Sequence, residues 1–209
     1  MLAAVVSVGS AQAATFTPGN NPQADEENIL LNTGTQGQLV QGTTNQTQEV
    51  INFANPNEEL ILPAQGQARI EAVDGSFTFL AIQPNNSPNT TFLDLILDIQ
   101  LAGTGQQSGS VVFTAFLANG VEQSDPLPLA QGSNFFTLLT DASNPFLAVT
   151  LTESGENEIH DVRQIRISGV CNTDPCSETP RVPEPGTLAL LGGSMLGLVG
   201  FVSRRRNLR

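Results

Sequence analysis

The chain of 209 residues is 39% hydrophobic but only 13% charged, so Asn, Gln, Thr, Ser and Gly do the solvating that Lys and Glu do in an ordinary cytosolic enzyme. It has no Lys, Trp or Tyr and a single histidine, His160, which excludes Schiff-base and phosphate-loop lysine chemistry and removes the main actor of most acid–base and zinc schemes. Residues 14–182 hold nineteen acidic groups against Arg69, Arg163, Arg166 and Arg181, a net charge of −15 that repels nucleic acid and anionic lipid and favours divalent cations or cationic partners.

In chain order, residues 1–14 read as a signal peptide. Residues 2–8 are apolar, and Ala11-Gln12-Ala13-Ala14 supplies the small side chains a signal peptidase accepts. No Lys or Arg precedes the apolar run, so this reading carries the expectation that the start is mis-called. Residues 15–57 form a polar N-terminal part of the body, rich in Asn, Gln, Thr, Gly and Pro, with short apolar patches at 29–31 and 50–53.

Residues 58–176 carry the core. Short apolar runs at 60–62, 68–73, 77–82, 92–101, 111–117, 135–140, 146–151 and 162–167 are broken by turn formers such as Asp74-Gly75, Asn119-Gly120 and Asn144-Pro145. Eight or nine short strands at this spacing predict an all-β, single-domain β-sandwich or jelly roll. The clearest alternation lies between Leu93 and Leu101, where every odd position is apolar and Asp94, Asp98 and Gln100 fall on the opposite face. This predicts a strand with one buried face and two solvated aspartates, which strand rise sets about 13–14 Å apart, too far for a glycosidase pair.

No catalytic residue stands out. His160 next to Asp161 reads as a strand-entry histidine, because no nucleophile is placed and no Gly-x-Ser-x-Gly elbow occurs. Arg163 and Arg166 are expected to pair with carboxylates. No metal site is assigned, although the acidic clusters at 25–27, 58–59 and 153–161 leave structural calcium as a weak alternative. Cys171 and Cys176 flank Asn172-Thr173-Asp174-Pro175, a turn that brings them within bridging distance. In an oxidising compartment they predict a disulfide clasping the end of the domain, before a linker at 177–181.

The tail, residues 182–209, is the most informative segment. Val182-Pro183-Glu184-Pro185-Gly186 precedes an uncharged stretch at 187–203, TLALLGGSMLGLVGFVS, and then Arg204-Arg205-Arg206. Seventeen residues make a helix of roughly 25 Å, enough to span a bilayer when short, and the arginines hold its end on the cytoplasmic side, leaving the body outside. A buried core helix or strand is the competing reading, but a Gly-rich segment with no polar face, closed by three arginines, does not fit a surface helix. The motif, the apolar helix and the arginine cluster together resemble the PEP-CTERM sorting tail. That resemblance implies export in a Gram-negative bacterium or cyanobacterium, transient anchoring in the inner membrane, and processing by an exosortase, a membrane-embedded cysteine protease. Two prolines hold Glu184 in an extended segment, so it is read as a recognition group in a substrate.

The expected function is a non-enzymatic structural or interaction protein of the cell envelope, outer surface or extracellular matrix. A carbohydrate-binding module with extracellular polysaccharide as partner is the alternative, set back by the absence of Trp and Tyr. A secreted hydrolase comes third. No cofactor is expected.

Overall fold

The structure is a computed structural model, and it describes residues 14–104, 106–155 and 157–171. Every described regular element is a β-strand. In the N-terminal part these are β1 (Thr15–Pro18), β2 (Glu27–Leu30), β3 (Gln36–Gly37), β4 (Leu39–Thr44) and β5 (Val50–Ala54). They are followed by β6 (Leu60–Ile61), β7 (Arg69–Ala72), β8 (Phe79–Pro84), β9 (Asp94–Leu101) and β10 (Ser108–Leu117). The last four are β11 (Glu122–Ala130), β12 (Asn134–Leu139), β13 (Phe146–Glu153) and β14 (Ile159–Ser168).

All pairings are antiparallel, in the order β1-β12-β9-β14-β2-β4-β5-β8-β13-β10-β11. The path folds into two sheets. The first holds β1, β12, β9, β14 and β7, and the second runs from β4 to β11, with β2 hydrogen-bonded into both. Between them lies one apolar cluster that draws on both sheets, including Phe53, Leu80, Ile82, Phe113 and Leu151 from the second and Leu95, Leu97, Phe136 and Val162 from the first. Phe113 meets Phe136 across the gap with ring centroids 5.1 Å apart, an edge contact that fixes the two layers face to face. The expected all-β sandwich is present. The membrane-spanning helix expected at 187–203 lies outside the described residues, and none of the described residues forms a helix long and apolar enough to cross a membrane.

Residues 15–57 are built into this core, with Phe16, Ile29, Leu31, Val40, Ile51 and Phe53 buried beside the later strands. Gly42 of β4 shows how closely they pack. A Cβ there would stand 2.5 Å from Ile29 Cγ2 and 2.7 Å from Leu31 Cδ2, so the crossing of β4 over β2 admits only glycine.

Pro126 and Pro128 lie in the edge strand β11, whose ladder with β10 runs without a register shift from Ser108↔Ala130 to Phe116↔Glu122. The two prolines share one parity, so they fall where the backbone nitrogen faces away from β10. They strip two donors from the free edge and discourage pairing with another chain.

The solvated aspartates predicted on β9 are not found. Asp94 is 2% exposed and Asp98 1%, and Ile96 between them is fully buried outside the main cluster. Asp98 is covered by Arg163 and by Ser133 and Asn134 where the turn enters β12. A strap at residues 19–26 lies over the outer face of the first sheet and brings Glu26 toward Asp94. Gly19 N donates to Phe135 O at 2.7 Å, Asn21 N to Thr137 Oγ1 at 3.0 Å, and Thr137 Oγ1 to Gly19 O at 2.8 Å. Both faces of β9 are therefore covered.

Candidate functional site

The predicted sorting residues Val182, Pro183, Glu184 and Pro185, the stop cluster Arg204, Arg205 and Arg206, and Cys176 lie outside the described residues. The last described residue is tied into the body. Cys171 exchanges both backbone hydrogen bonds with Thr91, each 2.9 Å, just before β9.

Two surfaces of the body are candidates for function. The first is the charged outer face of the first sheet. Arg163 Nε lies 3.3 Å from Asp98 Oδ2 and 3.5 Å from Asp161 Oδ1, and Arg166 Nη1 lies 2.8 Å from Glu26 Oε2, so both arginines pair with carboxylates as expected. Asp98 also accepts from Ser133 Oγ and Asn134 N, each at 2.7 Å, and so pins the turn between β11 and β12. A register shift in β14 between Ile159 and Asp161 turns neighbouring residues toward one side. His160, expected only as a strand-entry residue, sits half exposed in β14 with Nδ1 2.9 Å from Asp161 Oδ2. Ligand-type atoms of Glu71, His160 and Asp161 converge within 4.8 Å. Arg69 pairs with Glu71 within β7 and Arg163 with Asp161 within β14, so both carboxylates of this cluster also face an arginine.

The acidic cluster at 25–27 is likewise used internally. Glu26 pairs with Arg166, and buried Glu27 accepts from Gln46 N at 2.8 Å, Thr47 N at 2.7 Å and Thr47 Oγ1 at 2.8 Å. Burial pushes the Glu27 carboxyl up, but these hydrogen bonds outweigh it and leave the pKa lowered.

Asp94 is the opposite case. Burial pushes its carboxyl up to about 6, Glu26 adds to the rise, and the bond from Ser168 and the charge of Arg166 only partly offset them. Its Oδ1 has no hydrogen-bond partner. A folded pKa above the unfolded value near 3.8 means that stability is complete below that value and is lost as pH rises through about 6. Asp94→Asn is therefore expected to raise the urea midpoint at pH 8, by the equivalent of about 1–3 kcal/mol, and to leave it nearly unchanged at pH 4. Equal shifts at both pH values would contradict this assignment.

The second candidate is the outward face of the second sheet, where no strap lies. The registers align three rows across it. Leading across the strands from β5 to β11, Ala54, Ala81, Thr150, Thr114 and Ser124 form a floor of small side chains, and Thr114 Oγ1 and Ser124 Oγ lie 2.8 Å apart on it. Two residues along each strand on one side, Gln41, Asn52, Gln83, Ala148 and Phe116 form a bank. Phe79, Thr152, Val112 and Pro126 form the other.

Apart from Glu122 at the β11 rim, these rows hold no charged side chain, although the body around them is strongly acidic. Gln41 Nε2 donates to Asn52 Oδ1 at 2.9 Å and to Asn85 Oδ1 at 3.3 Å, which links the amide bank to an open hollow of 480 Å³ lined by residues 85–87, 89 and 90. Sequence reading missed this surface because cross-strand register is set by pairings far apart in the chain. The local signal was available in the uncharged outward positions of β4, β5, β8, β10 and β13.

No curated protein matches the chain. Among solved structures, a mutant of the family 29 carbohydrate-binding module CBM29-2 aligns with 74% of this chain and 91% of its own, at 11% identity and a TM-score of 0.33. CBM29_1 from Piromyces equi aligns with 75% of this chain and 91% of its own, at 11% identity and a TM-score of 0.32. Likeness at that level carries no argument about what this chain binds. Residues 181–206 match the family described as the PEP-CTERM protein-sorting motif, which covers the motif, the apolar run and the arginine cluster singled out from the sequence. Residues 181–206 thus carry the PEP-CTERM protein-sorting motif, on the C-terminal side of an all-β body.

Proposed function

We propose that this is an exported, non-enzymatic protein of the cell envelope or extracellular matrix, anchored in the inner membrane by residues 187–203 until an exosortase processes the tail, and then displayed or released as a structural or interaction module. The observation that carries the reading is the sorting motif at 181–206, placed after a body whose strands end at Ser168. Apolar run and arginines serve insertion and orientation, and the proline-flanked carboxylate serves recognition. Fractionation of native host cells tests it. Wild-type body should be recovered from the outer envelope or the medium, and protein with Arg204, Arg205 and Arg206 all replaced by Asn should be misplaced before maturation. Recovery of wild type from the cytosol alone would overturn the proposal.

The same reading carries the clasp. Cys171 and Cys176 are bonded in the exported protein, and because the closed loop is short, breaking the bond leaves the fold standing. Intact-mass measurement should find no free thiol before reduction, and circular dichroism should be unchanged after it. Two free thiols in envelope-derived protein would contradict the clasp.

A second reading, a binding module for extracellular polysaccharide, is favoured by one feature of the body. The second sheet keeps an uncharged outward face of amides, hydroxyls and phenyl rings that no segment of the described chain covers.

A further inference from the structure

The geometry points to the outward face of the second sheet as a docking trough for an extended, uncharged polysaccharide chain that lies across the strands. This inference rests on the polysaccharide-binding reading above and gives it a location and a ligand class. The floor, from Ala54 through Ala81, Thr150 and Thr114 to Ser124, crosses five strands, about 19 Å at the usual strand spacing. That length accommodates several sugar units. Banks two residues away on either side stand about 7 Å from the floor line along the strands, wide enough to seat one chain.

The chemistry of the face is that of a neutral sugar read in relief. Alanine methyls and the half-buried rings of Phe116 and Phe79 offer apolar surface to the C–H faces of pyranose rings. Gln41 and Gln83 are exposed on β4 and β8, with buried Asn52 between them tied to Gln41. Exposed amides therefore stand two strand spacings, or about 10 Å, apart, close to the advance of two pyranose units. The exposed amides of Gln41 and Gln83 present donor and acceptor atoms to hydroxyls.

Charge selects among occupants. On a body of net charge −15, an anionic polymer is repelled as a whole. A cationic peptide would find its pairing carboxylates elsewhere, since the inner strands of this face carry none. A second copy is disfavoured by self-repulsion of two acidic bodies and by the proline-blocked β11 edge. A neutral, hydroxyl-rich chain meets neither obstacle.

The test is native affinity electrophoresis of the full chain in a zwitterionic detergent, with hydroxyethylcellulose, mixed-linkage β-glucan or galactomannan in the gel and alginate as the anionic comparison. At least one neutral polymer should retard the protein and alginate should not. Ala81→Arg, which raises a long cation from the floor, should weaken retardation about tenfold or more, as should the milder pair Gln41→Ala with Gln83→Ala. His160→Ala, on the other sheet, should leave it unchanged. Thermal melting of each variant separates lost binding from lost fold, and the double-alanine variant keeps the test open if Ala81→Arg does not fold. Equal retardation of wild type and both face variants would overturn the trough while leaving polysaccharide binding intact. Retardation by alginate alone, or by no polymer, would overturn both. A dimer in light scattering that Ala81→Arg dissociates would assign the face to a second copy and overturn the trough.

Discussion

Replacing Glu184 by alanine is expected to stop maturation of the protein without disturbing its insertion in the membrane. Insertion depends on the apolar stretch at 187–203 and on Arg204, Arg205 and Arg206, which the substitution does not touch. Processing depends on a carboxylate held between Pro183 and Pro185, within the span that matches the sorting motif. That role is part of the proposed reading and rests on the sequence, in which two prolines disfavour helix around Glu184. Blots of fractionated host cells should show full-length Glu184→Ala protein accumulating in the inner membrane, with mature protein absent. Glu184→Asp, which keeps the charge on a shorter stem, should retain part of the processing. Normal maturation of Glu184→Ala would mean that Pro-Glu-Pro is not read here.

Asp98→Ala should cost the body about 3–4 kcal/mol, the usual toll for removing one partner of a buried ion pair. The loss is larger than the pair alone suggests, because three donors converge on this carboxylate. Ser133 Oγ and Asn134 N each approach within 2.7 Å and Arg163 Nε within 3.3 Å. Without them the turn between β11 and β12 loses its anchor, and buried donors are left without acceptors. Asp98→Asn keeps an acceptor for part of this set and should cost roughly half as much. Glu59→Ala, at an exposed position, should stay within about 0.5 kcal/mol of wild type. Urea titrations followed by circular dichroism would rank the three. An Asp98→Ala protein as stable as the Glu59→Ala one would show that the aspartate is solvated after all.

The contrast between these two residues shows what was legible from the chain. The sorting motif at 181–206 was readable because its signal is local: a proline-flanked acid, an apolar run and a basic cluster, in order. Alternation also located β7, β8, β9, β10, β13 and β14 within a few residues, since period-two burial is written along each strand. The edge strand β11 escaped because its outward positions include Pro126 and Pro128 and only one face carries apolar residues. Asp94 and Asp98 were misread for a different reason. Alternation tells which residues share a face but not whether another segment covers that face, and the strap at 19–26 comes from about seventy positions upstream. The N-terminal part was read as a polar section of the body whose apolar patches at 29–31 and 50–53 overlap β2 and β5, but its place in the sheets was hidden for the same cause. Its short strands complete both sheets through pairings such as Arg166↔Asn28 and Ile29↔Thr44, which leave no mark in the local pattern. The rows of the second sheet are less visible still, because a row is defined only once β5, β8, β13, β10 and β11 are in register.

Packing also explains why the two outer faces take different roles. On the first sheet, arginines and carboxylates neutralise each other under the strap, and the face is spent on holding the fold together. The second sheet needs no cover because its outward side chains are small, amide-bearing or ring-bearing, and none of the inner ones is charged. That division leaves the outward face of the second sheet as the surface proposed above for a partner.

The most direct test of the account is the intact mass of the mature protein recovered from the envelope or medium of its native host. Processing at the sorting tail predicts a mass lacking the apolar run at 187–203 and the arginines after it. A mass that retains Arg204, Arg205 and Arg206 would contradict it, and the tail would then be a permanent anchor.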